Sequence, residues 1–312
     1  MRKLGLALGA GGLRGAAHVG VLSVLDRYGV TPFVTTGASV GAVVGALYAA
    51  GNDAEQLREL TAAIKPDDFL DLEGIPEIAL AIGKSLVDLI KHGRKPRAIW
   101  RIPNGLVRGE ALERYVRRNS AGAATLDALT RRLVIVATDV NSGRRILWAD
   151  PESRELLRSA FRHSTTTAVL DDAPLSKAAR ASAAIPGIYE PVNWEDQYLV
   201  DGGVTDFVSV DTAFAAGADV VLAVDLGYAG ERKEPIDNIL EILTQSIDIL
   251  GRTRTDLRFE ALSRAQQART LRLKPRIYDV GLWETDRAGE MVDRGAEAME
   301  ETMPALLKML RR

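Results

Sequence analysis

Short apolar runs recur along the chain and are separated by longer segments in which apolar positions follow helical spacing. Apolar runs of this length predict buried β-strands over Leu4–Leu8, Phe33–Gly37, Arg132–Asp139, Gln197–Val200, Asp219–Asp225 and Leu271–Leu273. Helical spacing predicts helices over Ala16–Tyr28, Val40–Ala50, Pro174–Ala184, Val210–Ala216, 236–269 and Glu290–Leu310. Further extended segments are expected over Arg145–Trp148 and Ile188–Val192. Because strands alternate with helices, the pattern favours an α/β fold with parallel strands.

Residues 52–124 interrupt this alternation and are expected to form a helical insertion or lid. Within them, Ile75–Ile90 has apolar residues at helical spacing, and the basic residues Arg94, Lys95 and Arg97 follow. Such a helix can pack on the core, cap an acyl pocket or lie on an anionic membrane. Since no change of composition divides the rest of the chain, we expect one domain over 1–312.

Composition and charge narrow the classes of function. With 312 residues, 46% of them hydrophobic, the chain can bury a sizeable core. A net charge of −2 argues against a nucleic-acid partner, and the absence of cysteine excludes disulfides, thiolate nucleophiles and cysteine-ligated zinc. The uncharged stretch Gly37–Gly51 is shorter than the roughly 20 residues that a membrane span needs. We therefore expect a cytoplasmic protein that can contact a membrane surface without crossing it.

The first candidate for chemistry is a G-x-S-x-G motif formed by Gly37, Ser39 and Gly41. It stands directly after a predicted strand and directly before a predicted helix, which is the context of a nucleophile elbow. Glycine on either side of the serine removes the Cβ atoms that would clash in so sharp a turn. The motif therefore predicts a nucleophilic serine, and the alternative is a tight strand–helix connection with an ordinary serine.

A second candidate is the glycine-rich loop Gly9–Gly15, which follows the first predicted strand. Its spacing departs from the dinucleotide-binding fingerprint, because Arg14 stands where the third glycine belongs. The next strand also lacks an acidic residue at its end. The backbone N–H groups of such a loop can instead stabilise a transient oxyanion, a use that fits a serine nucleophile in the next β–α unit.

The third candidate is Asp201, which follows a predicted strand and precedes Gly202 and Gly203. This context fits a carboxylate held by its own turn, although a residue that only shapes the turn is the alternative.

The three histidines restrict the choice of a general base. None of His18, His92 and His163 follows Asp201, which excludes the Ser…Asp…His order of the α/β-hydrolases. His18 is expected to pack in the core, and no histidine–carboxylate cluster has metal-ligand spacing. The remaining arrangement is a pair in which Asp201 accepts the Ser39 proton directly.

Taken together, Gly11–Gly15, Gly37–Gly41 and Asp201–Gly203 resemble, in order and context, the motifs of the patatin-like phospholipases. Val136–Asp139 and Ala183–Gly187 also look like segments of bacterial members. The resemblance implies a three-layer α/β/α fold with a mainly parallel central sheet. It further implies hydrolysis of lipid or other acyl esters by a Ser–Asp dyad through a covalent acyl-enzyme, without metal or cofactor.

Carried over by position, the resemblance makes Ser39 the nucleophile and Asp201 the base. The oxyanion hole would consist of the backbone N–H groups of Gly11, Gly12 and Leu13, with Arg14 as the basic residue beside it. Ala10 departs from the family pattern, because many members have a glycine at that position.

Two alternatives remain at this stage. The first is an acyl transferase, although the malonyl-transfer type carries a histidine where this chain has Ala38. The second is a catalytically silent module that binds a membrane surface.

Overall fold

The computed structural model describes residues 2–71, 104–227, 239–280 and 284–311. The predicted helix over 75–90, His92 and the basic residues that follow lie outside these ranges. The insertion over 52–124 and the single domain over 1–312 therefore stay predictions.

Nine strands in the described ranges form one mixed sheet with a mainly parallel centre. They are β1 Leu4–Leu8, β2 Val34–Ala38, β3 Leu133–Asp139, β4 Arg145–Ala149, β5 Thr167–Val169, β6 Val192–Trp194, β7 Gln197–Asp201, β8 Val220–Val224 and β9 Thr270–Leu273. The order is β5-β4-β3-β2-β1-β8-β9, and the hairpin β6–β7 joins through β7 to β3. Parallel pairs join β2–β3, β1–β2, β1–β8 and β8–β9, whereas β3–β4, β3–β7 and β6–β7 are antiparallel.

The predicted strands are found within one or two residues, with one exception. The extended segment expected over Ile188–Val192 is wrong, because the strand begins only at Val192. The residues before it turn back on themselves: the N–H groups of Ile188 and Tyr189 both donate to the Ile185 carbonyl.

Helices cover both faces of the sheet. They are α1 Ala16–Arg27, α2 Val40–Ala49, α3 Ala54–Ala62, α4 Glu110–Asn119, α5 Pro151–Phe161, α6 Leu175–Ser182, α7 Val210–Ala215, α8 Ile239–Ala261, α9 Arg264–Gln267 and α10 Ala288–Arg311. Side chains of α1, α2 and α10 share a core with one face of the sheet, whereas α5 and α7 share a core with the other. The protein therefore has the predicted three-layer α/β/α arrangement.

Strand residues alternate between these two cores, as the pleat of a β-sheet requires. On β3, Leu133 and Ile135 belong to the core with α1 and α2, whereas Val134 and Val136 belong to the core with α5 and α7. A strand buried on both faces is apolar at most of its positions, which explains the nearly continuous apolar runs in the sequence.

Candidate active site

Ser39 lies at the sharp turn between β2 and α2. Its backbone angles are φ 54° and ψ −126°, a conformation that non-glycine residues rarely adopt and that is found mostly at functional sites. The chain approaches itself closely here: a Cβ atom at Gly37 would lie 2.4 Å from the Gly41 carbonyl oxygen, and one at Gly41 would lie 2.2 Å from the Leu8 carbonyl oxygen. Both glycines of the motif are therefore sterically required by the turn.

Ser182, at the end of α6, holds this turn in place. The Ser39 N–H donates to Ser182 Oγ over 3.0 Å, and that hydroxyl donates to the Val136 carbonyl of β3 over 2.5 Å. Ser182 is fully buried. The sequence interpretation missed this residue, and the only local signal was a serine in the run of small residues before Pro186.

The pairing of β3 explains how Asp201 approaches Ser39. Strand β2 pairs with β3 only as far as Ala38 and Val136, and β7 pairs with the next residues of β3, from Ala137 onward. Asp201, the last residue of β7, is paired with Ala137. The ends of β2 and β7 therefore meet at one point along β3, which places the residues that follow the two strands close together.

The Asp201 carboxylate is held by its own turn, as predicted. Its Oδ1 atom accepts a hydrogen bond from the Gly203 N–H over 2.7 Å, and Gly202 packs so tightly that a Cβ atom would lie 2.2 Å from the Val136 carbonyl oxygen. The Thr138 hydroxyl donates to the Asp201 carbonyl over 2.9 Å. One carboxylate oxygen is thus used by the turn, and Oδ2 has no hydrogen-bond partner among the described residues.

Burial raises the pKa of Asp201 from its ordinary value of 3.8 to about 7. The Ser39 hydroxyl and the Gly203 N–H oppose this rise, and the negative charge of Asp248 adds to it. Ser39 is therefore near enough to act on the carboxylate, yet Oδ2 receives no hydrogen bond of good geometry from it. Catalytic hydrogen bonds are often long or poorly aligned before substrate binds. The two side chains are therefore neighbours, which is the arrangement that a proposal of proton transfer between them needs.

The glycine loop contacts both of these turns. A Cβ atom at Gly15 would lie 2.1 Å from the side chain of Val40, the residue after Ser39, and one at Gly203 would lie 3.1 Å from the Ala10 side chain. Gly12 has a positive φ of 58° and begins a 3₁₀ turn that ends at Gly15.

The N–H groups of the loop divide into two sets. Ala10 donates its N–H to the Phe207 carbonyl over 3.0 Å, so this amide is already occupied. Gly12 and Leu13 are the first residues of the 3₁₀ turn, and N–H groups at that place have no partner within the turn. The loop can therefore offer donors at Gly12 and Leu13 without breaking a hydrogen bond of the turn.

Arg14 and His18 stabilise the glycine loop through hydrogen bonds of their buried side chains. The Arg14 guanidinium is buried, donates to the Val280 carbonyl over 2.8 Å and pairs with Asp248 of α8 at 3.1 Å. His18 is fully buried, and burial lowers its pKa to about 4, so the ring is neutral at pH 7. Its Nε2 atom donates to the Gly9 carbonyl over 2.8 Å. The predicted packing role of His18 therefore includes a specific hydrogen bond, which the sequence interpretation did not foresee.

The remaining sequence predictions concern metals and membranes. His163 is exposed. Across 2–71, 104–227, 239–280 and 284–311, the His, Asp and Glu side chains form no group of three that could hold a metal ion. No helix in those same ranges combines the length and apolarity needed to cross a membrane. The predicted cytoplasmic location stays a prediction.

Curated proteins similar to this chain are mostly longer. An uncharacterized NTE family protein of Mycobacterium tuberculosis is 28% identical over 239 residues, which is 76% of this chain and 53% of that protein. Lysophospholipase nte1 of Aspergillus fumigatus is 26% identical over 233 residues, 72% of this chain and 12% of that protein. The chain thus spans about half the length of the mycobacterial relative and a much smaller part of the fungal one.

Two solved structures superpose on most of the chain at low sequence identity. VipD from Legionella pneumophila is 14% identical with a TM-score of 0.45, covering 97% of this chain and 67% of that one. Human GIVD cytosolic phospholipase A2 is 12% identical with a TM-score of 0.45, covering 99% of this chain and 62% of that one.

Membership of a family follows from a match to a family sequence model and not from these pairwise similarities. A sequence model described as patatin-like phospholipase matches residues 6–214 and thus includes the glycine loop, the serine turn and the aspartate turn. Because the match extends over more than half of the chain, the protein belongs to the patatin-like phospholipase family.

Proposed function

We propose that this protein is a serine acyl-ester hydrolase of the phospholipase or lysophospholipase type, with Ser39 as nucleophile and Asp201 as base. The observation that carries the proposal is a buried carboxylate beside a serine in a strained turn, with one of its oxygens unpaired within the described part of the chain. A pKa near 7 suits a general base that works at neutral pH, because the carboxylate is then basic enough to take a proton and is still partly ionised.

In the first half of the proposed reaction, Ser39 Oγ attacks the ester carbonyl carbon while Asp201 Oδ2 takes the hydroxyl proton. The carbonyl oxygen becomes an oxyanion, which the N–H groups of Gly11, Gly12 and Leu13 would stabilise. As the ester bond breaks, Asp201 returns the proton to the departing alkoxide. The products of this half are a free alcohol and an acyl group on Ser39.

The second half reverses these roles with water as the nucleophile. Asp201 takes a proton from water, the resulting hydroxide attacks the acyl carbon, and the bond to Ser39 Oγ breaks. The proton passes to Ser39, and the carboxylic acid leaves. All the groups that this scheme needs come from the chain itself, so the proposal includes no metal or cofactor.

Lipid esters are the proposed substrate class. The support is family membership together with the name of the similar fungal protein, a lysophospholipase.

An activity-based probe tests the proposal. A fluorophosphonate should modify the wild type at Ser39, located by mass spectrometry, and p-nitrophenyl esters and lysophospholipids should be hydrolysed. Ser39→Ala should lose both properties, whereas Ser23→Ala, a serine of α1 that hydrogen-bonds the Gly20 carbonyl, should keep them. Modification of another residue, or undiminished turnover by Ser39→Ala, would refute the proposed nucleophile.

A further inference from the structure

Helix α8 lies across the loops that surround the candidate active site. On its inner side, Asp248 pairs with Arg14 of the glycine loop, and Gly251 packs against Phe207. Arg254 donates to the carbonyl of Val204, which belongs to the turn after Asp201. One helix therefore contacts both the loop proposed to hold the oxyanion and the turn that carries the proposed base.

The outer side of the same helix is apolar. Ile242, Leu243, Ile249, Leu250 and Leu257 are between 38% and 65% exposed, and they form what we call the outer face of α8. Their spacing of seven and eight residues places them on one side of a helix, opposite Asp248. Among the described residues these are five of the nine large apolar side chains that are exposed, and the other four lie on separate segments. The outer face is therefore a concentrated patch and not ordinary scattered exposure.

Two hydroxyl residues on this outer face have their donors already satisfied. Ser246 Oγ donates to the Ile242 carbonyl over 2.7 Å, and Thr253 Oγ1 donates to the Ile249 carbonyl over 3.1 Å. A Ser or Thr hydroxyl that donates to a carbonyl of its own helix needs no water molecule as acceptor for its hydrogen. Entry of the outer face into an apolar phase would consequently leave neither hydroxyl hydrogen unpaired.

Arginine side chains border the outer face on both sides. Arg252 and Arg254 are exposed at these borders, and the acidic residues Asp256 and Glu260 lie toward its C-terminal end. Arg252 has only a distant ion pair, with Asp256 at 3.9 Å, and the other Asp256 oxygen is taken by Arg272 at 2.7 Å. An apolar face bordered by arginine is the pattern of a helix that lies in the plane of an anionic lipid surface.

We propose that the outer face of α8 docks the protein on an anionic lipid layer. This rests on the proposed function, because a lipid-ester hydrolase must meet its substrate at such a layer. Since α8 contacts the active-site loops with its inner side, docking would place these loops on the side of the molecule that faces the lipid, with the thickness of the helix, ~10 Å, between them and the lipid surface.

Vesicle binding tests the docking surface independently of catalysis. The full-length Ser39→Ala protein is mixed with vesicles of phosphatidylcholine and phosphatidylglycerol in equal parts, and the bound fraction is measured by flotation. Leu250→Glu combined with Leu257→Glu should lower the partition coefficient tenfold or more, because charges replace two apolar side chains that would enter the lipid. Leu156→Glu, the same change at an exposed leucine of α5, should stay within twofold of its parent.

Vesicles of phosphatidylcholine alone and the Arg254→Gln variant test the charge component. Both should weaken binding several-fold, and added salt should weaken it further. The proposal is overturned if the Leu250→Glu, Leu257→Glu variant binds vesicles like its parent, or if Leu156→Glu weakens binding equally. It is also overturned if binding is equal with and without anionic lipid. A concentration-dependent dimer that the leucine pair abolishes, without vesicle binding, would identify a second copy as the occupant instead.

A soluble p-nitrophenyl ester separates this proposal from the proposed function. When Ser39 is present, the Leu250→Glu, Leu257→Glu variant should hydrolyse the soluble ester at the wild-type rate. If the wild type hydrolyses no ester although the vesicle pattern holds, the proposed function fails and the docking surface stands. If the wild type hydrolyses the ester and the Leu250→Glu, Leu257→Glu variant binds vesicles like its parent, the docking surface fails and the proposed function stands.

Discussion

Asp201 and Asp206 lie five residues apart, and both are buried, at 6% and 0% exposure, yet their surroundings differ completely. Asp206 faces two guanidinium groups: Arg145 lies 2.6 Å from its Oδ2 atom, and Arg258 lies 3.6 Å from its Oδ1 atom. Within the ranges that the structure describes, Asp201 has the Gly203 N–H on Oδ1 and no hydrogen-bond partner on Oδ2.

Asp206 and the two arginines form what we call the Asp206 cluster, and these positive charges are what a buried carboxylate requires for stability. Burial alone would lower the pKa of Arg145, but Asp206 and Asp211 raise it above its ordinary value, so the guanidinium stays charged. No described arginine or lysine pairs with Asp201, and burial raises its pKa instead. Burying an acid without a cation costs free energy, and strongly perturbed pKa values cluster at functional sites. The difference supports the proposed division of roles, in which Asp206 serves the fold and Asp201 serves the chemistry.

The largest expected effect is on turnover. Asp201→Asn keeps the size of the side chain but removes the base, and we expect kcat for ester hydrolysis to fall about 10³–10⁴-fold. Circular dichroism should show a folded protein. Asp206→Asn, measured in parallel at a temperature where it is folded, should keep turnover within a few-fold, and a fully active Asp201→Asn would break the comparison.

The same Asp201→Asn change should stabilise the protein above neutral pH. Native Asp201 holds its proton up to about pH 7, whereas the unfolded chain releases it near the ordinary value of 3.8, so the wild type loses stability as pH rises through this window. Asparagine does not titrate, so the unfolding free energy of Asp201→Asn should exceed that of the wild type by at most about 4 kcal/mol above pH 7. Urea unfolding at about pH 5 and about pH 8 measures it. An advantage that does not grow with pH would contradict the unpaired carboxylate.

Asp206→Asn should act in the opposite direction. It leaves Arg145 and Arg258 with Asp211 as their remaining acid, and the lost pairing should cost about 3 kcal/mol of unfolding free energy. Urea unfolding at pH 7 checks this value. If Asp206→Asn were as stable as the wild type, the structural role of the cluster would be wrong.

A smaller effect is expected at Ser182. Ser182→Ala removes the hydrogen bond to the Ser39 N–H, which should lower kcat about tenfold with little change in KM, the size of one lost hydrogen bond. Ser176→Ala, at a buried serine in the same helix, is the matched control and should leave kcat unchanged. Equal losses in both variants would assign the effect to packing of α6.

Sequence reasoning succeeded where the information is local. The turn at Ser39 depends on the glycines beside it, and the turn at Asp201 depends on the two that follow, so short motifs were sufficient to predict both. That the two turns meet depends on β7 taking over the edge of β3 where β2 ends, a pairing between residues far apart in the chain. Elimination of the histidines and the family resemblance both pointed to a Ser39–Asp201 pair, but neither showed the strand pairing that brings the two turns together.

The features that sequence reasoning missed depend on tertiary contacts. Ser182 became important only because α6 places it against the elbow, and Arg14 proved to be paired with Asp248, 234 residues later. Helix α8 has apolar residues on both sides, so periodicity alone could not show which side is buried. The exposed outer face was therefore invisible in the sequence.

The pH dependence of fluorophosphonate labelling tests the pairing of Ser39 and Asp201 most directly. The second-order rate of modification at Ser39 reports the nucleophile alone, without product release. The rate should rise with pH, with a midpoint at an apparent pKa of about 7 and a plateau above it. This rise should be absent in Asp201→Asn, which should be labelled slowly at every pH. A rate in the wild type that does not depend on pH, or the same pH profile in Asp201→Asn, would contradict the claim that these two residues share a proton.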